Sequence, residues 1–304
     1  MAFTAKDVQA LREKTGCGMM DCKKALTECD GDMEKAVDFL REKGLAQQAK
    51  KAGRIAAEGA VLVYEADGVA AAVEINAETD FVAGGDLFKE LTLKVAQVVA
   101  EQNPADVEAL GNCALDGKTV NEAVQDLFLA VRENIKIRRF ERFEGNVGSY
   151  VHGGGKIGVL VNFDTTAEVA ATAEFKTLTK DIAMQIAAAN PAFLDRDSVP
   201  AETIEHEKGI MISQMKEDPK MANKPEQVLA KIVEGKMGKY FSEVCLLEQT
   251  YVKDGDFTVG KYIAAKAKEI GADVNVVSYV RFEKGEGIQK REDNFAEEVA
   301  SMVK

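Results

Sequence analysis

No uninterrupted apolar stretch of the ~18 residues that a membrane helix needs occurs in this sequence. Its start, MAFTAKDVQALREK, has neither a signal-peptide core nor an Arg-rich transit pattern, so the expectation is a cytoplasmic protein. Histidine is nearly absent. His152 and His206 are the only two, and neither sits in a GxSxG, HExxH or Cys/His pattern, which leaves His-based catalysis without a constellation. The cysteines are few and odd in number, five in 304 residues, which argues against a disulfide framework and for a reducing compartment. Cys17, Cys22 and Cys29 cluster without a nearby histidine or a paired CxxC spacing. Cys22, Ala25, Leu26 and Cys29 share one helical face and read as core. Basic excess is missing too: the net charge of −12 makes nonspecific phosphate binding unattractive. No carboxylate pair stands out as general acid and base.

What is present is ordinary globular composition, 46% hydrophobic and 30% charged, over a length that suits two or three compact units. Thr4 with Asp7 reads as a capped helix start, with Val8 and Leu11 as its apolar face. A second helix is expected from about 18 to 29. Asp32 can cap a third, in which Met33, Ala36, Val37 and Leu40 repeat at helical spacing and Gly44 is placed to end it. AQQAKKAGR, 46 to 54, reads as a polar connector. From 59 the period changes: GAVLVYEADGVAAAVEIN is two alternating runs about an ADG turn, a hairpin signal. A helix from 86 to 102, another near 119 to 133 and the strand NIKIRRFERFE complete this unit, and the fold class is α+β.

Self-comparison finds a repeat. A shift of 87 lays Phe88, Lys89, Leu91, Thr92, Ala96, Ala100, Asn103 and Pro104 on identical residue types from Phe175 to Pro191, eight matches in seventeen positions. Further on the shift becomes 139, where Thr119, Val120, Arg142, Phe143 and Glu144 meet Thr258, Val259, Arg281, Phe282 and Glu283. The shift grows by 52, so a duplicated α+β unit carries an insertion of that length between Pro191 and Thr258 in its second copy. Within the insertion Ile204, Met211 and Met215 form one stripe, and Leu229, Ile232, Val233 and Tyr240 another. A helical hairpin is expected that cannot bury its own stripes fully and meets a second copy; the alternative is that it lies back on its own core.

Three segments invite chemistry. HGGGKIG, 152 to 158, lacks the Gly and Ser/Thr positions of a phosphate loop and leads into a strand, so it reads as a tight hairpin turn. IKIRRFERF places Lys136, Arg138 and Arg142 on one strand face, either for RNA or as the solvated side of a half-buried sheet. In NAETDFVAGG, 76 to 85, Thr79 to Ala83 is expected to protrude as a turn before a helix that starts at Asp86. The repeat aligns Glu168 with Phe81, so the fold itself does not need that aromatic, although local packing within the first copy remains the alternative.

LREKTGCGMMDCKKAL, 11 to 26, and EINAETDFVAG, 74 to 84, resemble the two signatures of the bacterial elongation factor Ts family, and the likeness extends to SYVHGGGKIGVLV and the C-terminal RFEKGEGIQKREDNFAEEVASM. The resemblance implies a UBA-like three-helix domain with linker over 1–54 and core subdomains over 55–145 and over 146–191 with 243–285. It further implies an inserted coiled-coil dimerisation hairpin over 192–242 and a C-terminal helical module over 286–304. It implies guanine nucleotide exchange on elongation factor Tu and neither enzymatic chemistry nor a cofactor of its own. The expected assembly is a homodimer through the hairpin or a 2:2 complex, with no direct contact to nucleic acid or membrane. Carried onto this chain, Asp80 and Phe81 enter the GTPase near its magnesium site, and Thr79 and Val82 shape the turn. Arg12, Met19, Met20 and Lys23 match one further contact region and His152 another; Met20 falls off the core face and is favoured over Met19. Ala77 and Gly84 depart from the family pattern. The main rival is an RNA-binding translation protein using Lys136, Arg138 and Arg142; a metabolic enzyme is a distant third.

Overall fold

The computed structural model describes residues 3–217 and 224–289. The expected C-terminal helix near 292–303 and most of the turn of the inserted hairpin lie outside the described residues. The architecture is α+β. Among the described residues no helix is long and apolar enough to cross a membrane.

Three helices open the chain: α1 (Ala5–Thr15), α2 (Met19–Glu28) and α3 (Met33–Lys51). Thr4 and Asp7 form a capping box on α1, and Asp32 accepts from the Glu34 and Lys35 amides at the start of α3, each at 3.1 Å. Such caps satisfy amides that a helix start leaves unpaired. The expected stop at Gly44 is wrong: α3 runs on to Lys51 and takes in most of the presumed connector. Gly44 is buried against Leu129, and a β carbon there would sit 2.4 Å from Leu129 Cδ2, so its smallness serves close helix approach. The core of these helices, including Leu11, Cys17, Cys22 and Leu26, is completed by Phe128 and Leu129 from a later helix.

Strands β1 (Glu58–Ala66) and β2 (Val69–Ala77) pair antiparallel about Asp67 and Gly68, both at positive φ as a two-residue hairpin turn demands. Then come α4 (Asp80–Gly84), α5 (Asp86–Gln102), α6 (Val107–Asn112), the small ribbon β3 (Ala114–Leu115) and β4 (Lys118–Thr119), α7 (Val120–Val131) and β5 (Lys136–Glu144). The sheet order is β1-β2-β5. A second sheet, β6-β7-β8, is made by β6 (Asn146–His152), β7 (Ile157–Asp164) and β8 (Asn275–Glu283). Between β7 and β8 lie α8 (Ala167–Ala170), α9 (Ala173–Ala189), α10 (Ala201–Glu217), α11 (Glu226–Val244) and α12 (Val259–Ile270).

Period-2 alternation divides each sheet into two faces. In the first, Val73 and Ile75 face Phe88, Leu91 and Val95 of α5, whereas Val61, Ala70 and Ala72 face Leu160 and Phe282 of the second sheet. The second sheet packs Val159 and Val161 against Phe175, Leu178 and Ile182 of α9. The layers therefore run helix, sheet, sheet, helix. Gly158 permits the close approach of the sheets, since a β carbon on it would fall 2.4 Å from Val61 Cγ1. The HGGGK loop is a hairpin turn, and the Val61 amide donates to the Gly155 carbonyl at 2.8 Å.

Matching details recur in the two halves. Thr79 caps α4 and Thr166 caps α8; Asn103 and Asn190 end α5 and α9 in the left-handed region; Thr119 and Thr258 cap α7 and α12. Arg142 donates to the Ala100 carbonyl, and Arg281 to that of Ala187.

The inserted hairpin buries its two stripes only in part. Its stripes face each other: Met215 of α10 and Leu229, Val233 and Met237 of α11 are buried, with Ile204, Met211, Ile232 and Tyr240 partly buried around them. Two amphipathic helices in antiparallel contact supply each other's apolar cover. Among the described residues of the hairpin, the exposed large apolar side chains are Ile210 and Val228.

Candidate functional site

The expected protruding turn is a single helical turn, α4. Thr79 starts it: its hydroxyl oxygen accepts from the Val82 amide at 3.3 Å while its O–H donates to Glu133 Oε1 at 2.6 Å, and its own amide donates to Glu133 Oε2 at 3.0 Å. Helical geometry then separates the next residues. Val82 and Ala83 enter the core beneath the turn, whereas Asp80 is exposed and Phe81 is 88% exposed. Val82 thus anchors the turn from below, and the face offered outward is Asp80 and Phe81. At Gly84 a β carbon would meet nothing within 4 Å, so the backbone and packing there accept other residues. Ala77 is fully buried at the end of β2.

The segment after α7 ties this turn to the N-terminal helices. Arg132, in the left-handed region at φ 61°, pairs with Asp21 of α2 at 2.6 Å, donates to the Gln47 side chain and accepts from Lys51 at its carbonyl. Asp21 is also held by Lys43 at 3.1 Å. Asn134 donates its amide to Glu78 at 2.7 Å and its side chain to the Arg54 and Ala52 carbonyls at 2.9 and 3.3 Å. Sequence reasoning missed Arg132, Glu133 and Asn134, because their partners are far away along the chain and no local spacing signals them.

Of the residues expected to contact a partner, Arg12, Met19, Met20 and Lys23 are all exposed on α1 and α2, with Met20 at 75%. Met20 precedes Asp21, which Arg132 grips, so α2 and α4 reach neighbouring residues of one segment. His152 is exposed at the end of β6, its Nδ1 3.1 Å from the Tyr150 hydroxyl. That hairpin end lies over Ala60, whose β1 partner Ile75 leads towards the turn. His152 and Phe81 therefore share one end of the sandwich.

The basic strand is otherwise employed. A bulge opposite Glu74 and Ile75 shifts the alternation at Arg138, so Lys136, Arg138 and Arg142 do not share one face as expected. Arg142 turns towards α5, while Arg138 and Arg139 pair with fully buried Glu74 at 3.0 and 2.6 Å. Burial raises the Glu74 pKa, but donors from the Gly285 amide, Arg138, Asn76 and Arg139 outweigh it and hold the carboxyl below its ordinary range. These arginines are internal fasteners, and Arg139 also stacks on Phe282 at 4.3 Å. An acidic residue within AAVEIN, on a strand that is otherwise apolar except for Asn76, was the available signal for that buried pair.

The family model described as Elongation factor TS matches residues 78–286. The chain is 51% identical over 306 residues to elongation factor Ts of Clostridium perfringens strain SM101, covering 99% of each chain. It is 50% identical over 308 residues to elongation factor Ts of Clostridium novyi strain NT, covering 99% of this chain and 98% of the relative. The corresponding protein of Clostridium botulinum strain ATCC 19397 is 49% identical over 309 residues, with the same coverage.

Proposed function

The chain belongs to the elongation factor Ts family, and from that premise we propose that it is the nucleotide exchange factor of elongation factor Tu, acting through the Asp80–Phe81 turn in the cytoplasm. The observation that carries the mechanism is Phe81, 88% exposed on a turn whose neighbouring residues Val82 and Ala83 are buried. A large aromatic held out of its own core by a fixed backbone is suited to enter another protein. Burial of such a side chain is worth roughly 1.5 to 3 kcal/mol, free energy available to shift a helix in the partner. Asp80, exposed beside it, brings a carboxylate to the surroundings of the magnesium ion that bridges nucleotide and GTPase. Loosening that ion weakens several phosphate contacts together.

Exchange needs a difference in affinity: the factor favours the nucleotide-free partner over the GDP-bound one, and each ~1.4 kcal/mol of that preference is tenfold in the GDP dissociation constant. Coupling of this kind is reciprocal, so incoming nucleotide expels the factor. The exposed residues Arg12, Met19, Met20 and Lys23, together with His152, are read as the grip that holds the partner while the turn works. No chemical bond changes, so the factor is not an enzyme and uses no cofactor of its own.

The finer organisation belongs to the same reading. Residues 1–54 are a UBA-like unit with linker; 55–145, and 146–191 with 243–285, are the core subdomains; 192–242 is a coiled-coil hairpin that joins two copies into a homodimer or a 2:2 complex; and 286–304 is a C-terminal module. No direct contact with nucleic acid or membrane is part of it. Release of fluorescent GDP from elongation factor Tu, with and without this protein, tests the exchange reading: acceleration supports it, and unchanged release overturns it.

A further inference from the structure

Resting on that exchange reading, we propose that Glu133 is a positioning residue for exchange, locking the Asp80–Phe81 turn in register with the N-terminal helices so that a partner meets both as one rigid surface. Three consecutive residues carry the argument. Arg132 holds α2 and α3 through Asp21, Gln47 and Lys51; Glu133 holds α4 through Thr79; Asn134 holds the connector between α3 and β1 through the Ala52 and Arg54 carbonyls. Each bond alone is an ordinary surface or half-buried contact. Their adjacency in the chain is what matters, since a two-residue span leaves little freedom between the elements they hold.

The grip on Thr79 is two-pronged. Glu133 takes the amide hydrogen on one oxygen and the hydroxyl hydrogen on the other, at 3.0 and 2.6 Å, and so fixes both position and rotation of the residue that starts α4. Charge-assisted bonds of this type are shorter and stronger than neutral ones. Arg132 keeps a left-handed backbone that a side chain with a β carbon adopts only where its surroundings hold it. A wedge transmits force only if its base does not yield. Phe81 makes too little contact with its own protein to be braced by packing, so the brace is the backbone at Thr79.

The test is release of fluorescent GDP from elongation factor Tu over a range of factor concentrations, which separates the saturated rate from the half-saturating concentration. Glu133→Ala is expected to lower the saturated rate about tenfold, the loss of a charge-assisted hydrogen-bond pair, with the half-saturating concentration changed less than about threefold. Glu133→Gln, which keeps an acceptor for the Thr79 amide, is expected to recover most of the rate. Should Glu133→Ala not fold, Glu133→Asp, one methylene shorter, loosens the grip on Thr79 while leaving its hydroxyl to cap the Val82 amide, and is expected to give the same split with a smaller loss. An unchanged saturated rate in the variants, or a loss confined to the half-saturating concentration, overturns the inference and leaves the exchange reading standing. No acceleration by the unsubstituted protein overturns both.

Discussion

Gly44 and Leu129 lie so close that a β carbon on the glycine would fall 2.4 Å from Leu129 Cδ2. Glycine inside a helix normally costs about 1 kcal/mol against alanine, so Gly44→Ala would stabilise a free α3. Here the new methyl pushes α3 off α7, and overpacking of this kind costs about 1–3 kcal/mol. The expected outcome in urea unfolding is a net loss of stability, and in a Leu129→Ala background, itself destabilised by the lost core packing, Gly44→Ala is expected to cost nothing further. A more stable Gly44→Ala protein would show that α3 and α7 are not packed at this distance.

Glu74 gives a pH prediction. Its carboxyl titrates below the ordinary 4.5 in the folded protein, so its contribution to stability is fully present above about pH 4.5. That contribution is lost as pH falls through the depressed native value. Glu74→Gln leaves Arg138 and Arg139 without their buried partner, at a cost of roughly 3 kcal/mol near neutrality, the low end for a broken buried pair because both arginines reach solvent. Stability measured against pH is expected to fall less steeply at acid pH in the variant. Parallel curves for the two proteins would remove Glu74 from the acid transition.

The hairpin separates two questions that its sequence merges. Met211 and Ile232 stand out in the apolar stripes, yet both lie in the seam between α10 and α11, and charging them would damage the hairpin itself. Val233→Asp, which buries a carboxylate, is expected to unfold the hairpin, read as lost helical ellipticity. Ile210→Asp, at an exposed position, is expected to hold stability within about 0.5 kcal/mol while lowering the mass measured by light scattering from dimer to monomer. A mass unaffected by Ile210→Asp and Val228→Asp together would remove the dimer proposal.

Local signals were legible: the caps at Thr4 and Asp32, the Asp67-Gly68 turn and the helix from Asp86 all follow from short-range chemistry that the sequence displays. The exposure of Phe81 was legible for a different reason, since the repeat carries Glu168 in its place on an equally capped turn. What the sequence concealed depends on contacts distant along the chain. Gly44 looks like a helix stop until Leu129 is placed against it, and the phase of the basic strand is unreadable without the bulge opposite Glu74. Likewise α6 and the β3–β4 ribbon are too short for periodicity to declare them. Glu133 was unreadable for the plainest reason: its partner Thr79 is 54 residues away.

The most direct measurement is GDP release from elongation factor Tu by Phe81→Ala, matched for stability with the unsubstituted protein. Because Phe81 is 88% exposed, the substitution is expected to change unfolding stability by no more than about 0.5 kcal/mol. Release is nonetheless expected to slow about tenfold or more, as loss of the ~1.5 to 3 kcal/mol gained by burying the ring in the partner would dictate. Rapid release by a stable Phe81→Ala protein would contradict the wedge and move the mechanism to the N-terminal helices or to His152.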